Sequence, residues 1–209
     1  GTRNNAFGVS ALSSISTTND SSAFGHFALI LDTGGSNSAF GSQAGDAITS
    51  GTGNCAFGLN ALGAISTSAN ASAFGTSALL LNVAADNCAF GANAVDANTS
   101  GLRHCGFGKD ALGAIATAND SSAFGFNALL LDTGGSNSAF GSQAGDAISS
   151  GTGNCAFGLN ALGAISTAAN ASAFGTSALL LNTAADNCAF GANALDANTS
   201  GVRNCGFGK

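Results

Sequence analysis

Phenylalanine returns along this chain at an almost constant interval, and nothing else in the sequence constrains the fold as tightly. The tripeptide Ala-Phe-Gly, twice replaced by Gly-Phe-Gly, places Phe7, Phe24, Phe40, Phe57, Phe74, Phe90, Phe107, Phe124, Phe140, Phe157, Phe174, Phe190 and Phe207 in steps of 17, 16, 17, 17, 16 and 17 residues, and the order of steps then repeats. Residues 51–101 and 151–201 differ at only three positions, Ser68/Ala168, Val83/Thr183 and Val95/Leu195. The chain is one continuous array with a 100-residue super-repeat: 1–100, 101–200, and the start of a further rung at 201–209. A repeat of 16 or 17 residues is too short for the two helices and two turns of a helical repeat, which need about 33 residues. It fits one turn of a parallel β-solenoid, about 12 rungs in all, an all-β fold.

Aligned on Phe, the columns divide into constrained and free. Gly always follows Phe, Ala always stands four residues on in the complete rungs, and Leu comes next except at Val95, Gly45 and Gly145. The position two after Phe varies freely through Val9, His26, Ser42, Leu59, Thr76, Ala92 and Lys109. Fixed small and apolar columns beside a free one imply an inside and an outside. On this reading the Phe column is the stacked interior, with each ring burying on the order of 150–250 Å², and the neighbouring Gly permits a turn or a close backbone approach. Corners fall at runs such as Asp32-Thr33-Gly34-Gly35-Ser36-Asn37, which are rich in turn residues. Equivalent residues of successive rungs should lie about 4.8 Å apart, so that twelve steps span on the order of 58 Å.

Composition supports an ordered repeat over a disordered linker. Hydrophobic residues make up 45% of the chain, enough apolar surface to offset ordering entropy. Only 8% is charged, every acidic residue is Asp, and the net charge is −6. A chain with five Lys plus Arg has no basic footprint for nucleic acid, and no apolar run approaches the roughly 18 residues of a membrane span. The Asp residues are spaced as stacking demands. Asp46, Asp96, Asp146 and Asp196 share a column at every third rung, and Asp32 and Asp132 share another six rungs apart. Three rungs separate like charges by roughly 14 Å, more than a Debye length of about 8 Å. The first and last residues fall inside the repeat, which implies open edges that either a longer chain or end-to-end stacking would cover.

The runs Asn37-Ser38-Ala39-Phe40-Gly41-Ser42-Gln43-Ala44-Gly45 and Asn54-Cys55-Ala56-Phe57-Gly58-Leu59-Asn60-Ala61-Leu62 resemble the YadA-like head repeats of trimeric autotransporter adhesins and the related repeats of phage and giant-virus fibres. The resemblance covers essentially the whole chain. It implies a left-handed parallel β-roll, a parallel homotrimer, and display on a cell or virion surface. Two departures stand out: Phe replaces the aliphatic residue of the family pattern, and the rung is longer. Both imply a wider roll for which lateral partners are not obligatory.

Candidate sites are few. Six Cys lie two residues before Phe, and Cys88/Cys105 and Cys188/Cys205 fall on successive rungs, close enough for disulfides. Because Ser fills the same column elsewhere, packed free thiols are the first reading and disulfides the alternative; no Cys-x-x-Cys motif supports a metal site. His104 precedes Cys105, but adjacent strand residues face opposite ways. The nonapeptide of calcium-binding β-rolls is absent. His26 and His104 have no His counterpart at Phe126 and Asn204, and neither breaks the repeat in a way that would single out a catalytic constellation. The chain is therefore expected not to be an enzyme and to need no cofactor or metal.

Nine residues after Phe runs a mixed file of Thr33, Thr49, Thr99, Thr133, Thr183 and Thr199 with Ser16, Ser66, Ser149, Ser166, Val83 and Ala116. It suggests a hydroxyl ladder at a corner, with ice binding as a minor alternative. The expected function is a structural extracellular fibre or stalk segment that self-associates, as a trimer or end to end, with adhesion as a further option. The alternative is a receptor- or glycan-binding head using the outward residues His26, Phe27, Leu59, Lys109 and Phe126.

Overall fold

A computed structural model describes residues 1–209. Thirteen strands of three residues each, from Asn5–Phe7 to Cys205–Phe207, form one parallel sheet in strict sequence order. Every pairing is in register, Phe on Phe and Ala on Ala or Gly, from Asn5↔Ser22 to Cys188↔Cys205. The β-solenoid expected from the spacing is the fold observed. No helix is long and apolar enough to cross a membrane.

The strands alone do not hold the rungs together. Of 121 backbone–backbone hydrogen bonds, only 24 lie within the strands. The inter-rung ladder continues through the turns, as in Gly25 N–H to the Phe7 carbonyl (2.8 Å), Phe27 to Val9 (2.9 Å) and Leu29 to Ala44 (3.0 Å). The chain reaches this geometry by entering the left-handed region repeatedly in each rung. In the rung that begins at Phe57, Asn60 (φ 54°), Leu62 (φ 55°) and Asn70 (φ 61°) do so. Such residues are uncommon outside glycine, and here the bonds to the rungs on either side fix them.

The Gly after Phe is obligatory for two reasons. Gly91 has φ 144°, and a Cβ built there would sit 2.4 Å from the Gly108 carbonyl oxygen of the next rung. The same contact recurs along the column, so both alternatives drawn from the sequence, the turn and the close approach, hold at once.

The interior differs from expectation. The core cluster consists of Ala, Leu, Ile and one Val, among them Ala23, Leu29, Ile48 and Val95, and contains no Phe. The thirteen Phe rings stack on the outer face of the sheet. Phe24, Phe40, Phe140, Phe174 and Phe190 are 36–40% exposed, and Phe7 and Phe207 at the ends are 75% and 77% exposed. The reason is the period of a strand. Ala and Phe are neighbours and must point to opposite faces, and Ala23, Ala39, Ala56 and Ala73 are the buried ones. The column of Leu five residues after Phe shares this core with Ile48, Ile65, Ile115, Ile148 and Ile165, which stand three residues further along the rung. The Gly exceptions follow from that packing: a Cβ on Gly45 would lie 2.9 Å from Ile48 Cδ1 and 3.0 Å from Leu29 Cδ2. The space that Leu fills elsewhere is taken at that rung by its neighbours.

Candidate functional site

The outer face of the sheet is the most distinctive surface. Consecutive rings from Phe24 to Phe190 stack with centroids 4.5–4.9 Å apart and planes within 3–11° of parallel. At the ends the spacing opens to 6.3 Å for Phe7–Phe24 and 5.3 Å for Phe190–Phe207. The 4.7–4.9 Å strand spacing of a sheet imposes this distance, and it falls within the range that stacked aromatics favour.

Beside the rings, on the same face, runs the Ser/Cys column. All six cysteines are free thiols, half-buried except for the exposed Cys205. Cys88 pairs with Cys105, and Cys188 with Cys205, in register on adjacent strands; they are stacked thiols. Burial first, and then the neighbouring thiol, pushes Cys88 and Cys188 above the ordinary thiol range. These sulfurs therefore carry little thiolate, the nucleophilic form.

Inside, a polar ladder runs three residues before Phe. The Asn37 side-chain oxygen accepts the Asn54 N–H (2.9 Å), and the Asn54 oxygen accepts that of Ala71 (3.0 Å). Their amide groups donate to the carbonyls of Gly51 (2.8 Å) and Ser68 (3.0 Å). His104 occupies the same ladder. It is buried, on the face opposite Cys105, and substitutes for Asn as a donor–acceptor pair. His26 is elsewhere, stacked on Phe27 at 3.8 Å. Neither His lies in a nucleophile–base arrangement.

Asp32 and Asp132, unlike most of the Asp residues, lie in the interior. Asp32 is fully buried, 0% exposed. Its carboxylate accepts from Ser21 Oγ (2.7 Å), Gly34 N (3.0 Å), Gly35 N (3.3 Å) and Asn37 Nδ2 (2.9 Å). Asp132 has the same set. Each carboxyl group accepts from four donors and faces no cation, and most of the donors come from the corner that it shapes. Asn82 and Asn182 take this column in other rungs. Asp46, Asp96 and Asp146 are half-buried, and desolvation raises their carboxyls above the usual range.

One charge pattern went unread in the sequence. Four residues before Phe, Asp86, Arg103 and Asp120 occupy successive rungs. Arg103 holds Asp120 through two bonds, Nε–Oδ1 at 2.5 Å and Nη2–Oδ2 at 2.9 Å. Arg3 and Asp20 form the same pair. The hydrogen bond from each Arg holds its Asp below the usual carboxylate range. Aligning on this column instead of on Phe would have shown opposite charges one rung apart. The Thr/Ser file nine residues after Phe forms the ladder expected of it: the hydroxyls of Thr33, Thr49 and Thr99 donate to the carbonyls of Thr49 (3.0 Å), Ser66 (3.2 Å) and Ala116 (3.0 Å).

The free column two after Phe faces outward. Leu59, Phe126 and Leu159 are exposed there, and Lys109 Nζ lies 5.6 Å from the Phe126 ring centroid. No pocket indents the surface. No family model, curated protein or solved structure matches this chain.

Proposed function

We propose that the chain is a rigid structural segment, a spacer or stalk in an extracellular fibre. The observation that carries this reading is the uninterrupted register of the thirteen strands. Each rung contacts only its neighbours, the geometry of a quasi-one-dimensional rod; the outer Phe stack continues across all the rungs, and buried Asn side chains bridge neighbouring ones. The likeness of its repeats to YadA-like heads supports a surface location. Electron microscopy of the purified chain tests the proposal. Straight rods of constant width are expected, and compact globules would overturn it.

A second reading is favoured by the outward column. Its residues vary on a constant frame, so that Leu59, Lys109 and Phe126 would be side chains displayed for a receptor or glycan. Glycan-array and cell-binding assays separate the two readings. Binding that disappears when Leu59, Lys109 and Phe126 are replaced by Ser supports a head; no binding in the parent protein supports a spacer.

A further inference from the structure

The Phe and Ser/Cys columns form a continuous face with no covering element. With about 200 Å² per Phe side chain, the seven rings that are 36–77% exposed leave roughly 700 Å² of aromatic surface in water, before the Ser/Cys column is counted. That exceeds the largest apolar patch of an ordinary monomer, about 300–600 Å², and approaches the roughly 800 Å² per partner of a standard stable interface.

We propose that this face is a homotypic interface, on which a second copy of the chain packs face to face about a two-fold axis. Three observations select a second copy over another partner. The area is what a stable dimer needs. The face contains no Asp, Lys or Arg in either column, while the Arg103/Asp120 column and the Lys109/Asp110 pair flank it. A charge-depleted centre with a charged rim is the anatomy of a protein interface. The third is periodicity: a row of rings spaced 4.5–4.9 Å apart is matched over its whole length only by a surface with the same repeat, and another copy of this chain has it. The rings of each copy, lying over the Ser/Cys column of the other, would then form a dry zipper between two sheets. The interface is independent of whether the chain serves as a spacer or a head.

The test is sedimentation velocity of the 209-residue chain at about 10 μM, an order-of-magnitude choice set by the affinity scale of such interfaces. A species of twice the 19.9 kDa chain mass is expected. The double variant Ser72→Lys and Ser122→Lys places charge on the face without touching the rings, and should sediment as a monomer with the parent circular dichroism spectrum. A second measurement does not depend on any variant. Thiol-reagent labelling of the parent should accelerate at least tenfold on dilution, because Cys55, Cys88 and Cys105 would be covered in the dimer. A parent protein that is monomeric with dilution-independent labelling overturns the proposal. So does a trimer, because a single flat face is covered once by one partner.

Discussion

The Nδ1 atom of His104 accepts the backbone N–H of Ser121 at 3.3 Å, while Nε2 lies 2.7 Å from the Ala118 carbonyl oxygen. The two contacts fix the tautomer: Nε2 carries the proton and Nδ1 is bare. They reproduce the two bonds that Asn54 makes to Ala71 and Ser68. An imidazole thus performs the work of a carboxamide in one rung, and one hundred residues later Asn204 stands in its place.

Protonating Nδ1 would set a donor against the Ser121 N–H. Burial lowers the His104 pKa below its usual value, against the raising effects of its bonds to Ala118 and Ser121 and of the charges of Asp132 and Asp120. The unfolded chain therefore binds more protons below about pH 6.5 than the folded one, and stability falls as pH drops through that value. The slope is at most about 1.4 kcal/mol per pH unit for one group. Melting curves at pH 7.5, 6.5 and 5.5, a window in which ordinary carboxylates stay ionised, should show this loss in the parent. It should be largely absent in His104→Asn. Parallel profiles for the two proteins would exclude His104 as the sensor.

Asp32 supports a second prediction, since its acceptor oxygens are needed. Replacing it with Ala strands the Gly34 and Gly35 N–H groups and the Asn37 amide, and should cost about 2–4 kcal/mol. Asp32→Asn keeps one acceptor oxygen, and Ser21 can turn its hydroxyl to accept from the new amide, so the cost should be about 1 kcal/mol. Urea unfolding midpoints rank the three proteins. Equal losses for Ala and Asn would mean that the carboxylate matters by its charge alone.

The sequence made the rung, its register and its corner legible because those depend only on spacing: a one-residue slip at a single Phe would have broken the columns. Spacing does not place the Phe rings, because in this fold side-chain size is no guide to burial. The alternation of Ala56 and Phe57 already required one of the pair to face outward, and Ala61, Leu62 and Ile65 supply enough apolar residues to close the interior without Phe. The buried Asp32 was invisible for a related reason. A carboxylate in a Gly-rich run reads as a surface turn, and nothing in the spacing reveals that Ser21, eleven residues back, points at it. The Thr ladder was readable because its partner in every rung is its own column.

The Gly column predicts where the stack is least tolerant. Gly91→Ala meets the 2.4 Å approach to the Gly108 carbonyl and a φ of 144° together, so relaxing one strain does not relieve the other. A cost of about 3 kcal/mol or more is expected, concentrated at the rungs on either side. Hydrogen exchange should show faster opening of the amides of Gly108 and Asp110, which bond to Phe90 and Ala92. Ala92→Ser in the adjoining free column is the control and should leave exchange unchanged. Uniform protection in Gly91→Ala would show that the stack can widen to admit a methyl group.

Val95 gives the converse case, a position where the chain can be improved. It is buried, with φ 53°, and a β-branched residue is a genuine outlier in that region. The second copy places Leu195 there at φ 52°, and Leu is the usual residue of the column. Room exists in both copies because the facing strand residue is Gly. A Cβ on Gly106 would lie 2.6 Å from Val95 Cγ2, and one on Gly206 would lie 2.7 Å from Leu195 Cγ. Val95→Leu should therefore stabilise the rung by about 0.5–1 kcal/mol, moving the melting temperature up by about 1–3 °C in a chain of this size. Leu195→Val should lower it by a similar amount. If both substitutions lower the melting temperature, the two copies have repacked around their own residues, and backbone strain at Val95 does not decide the preference.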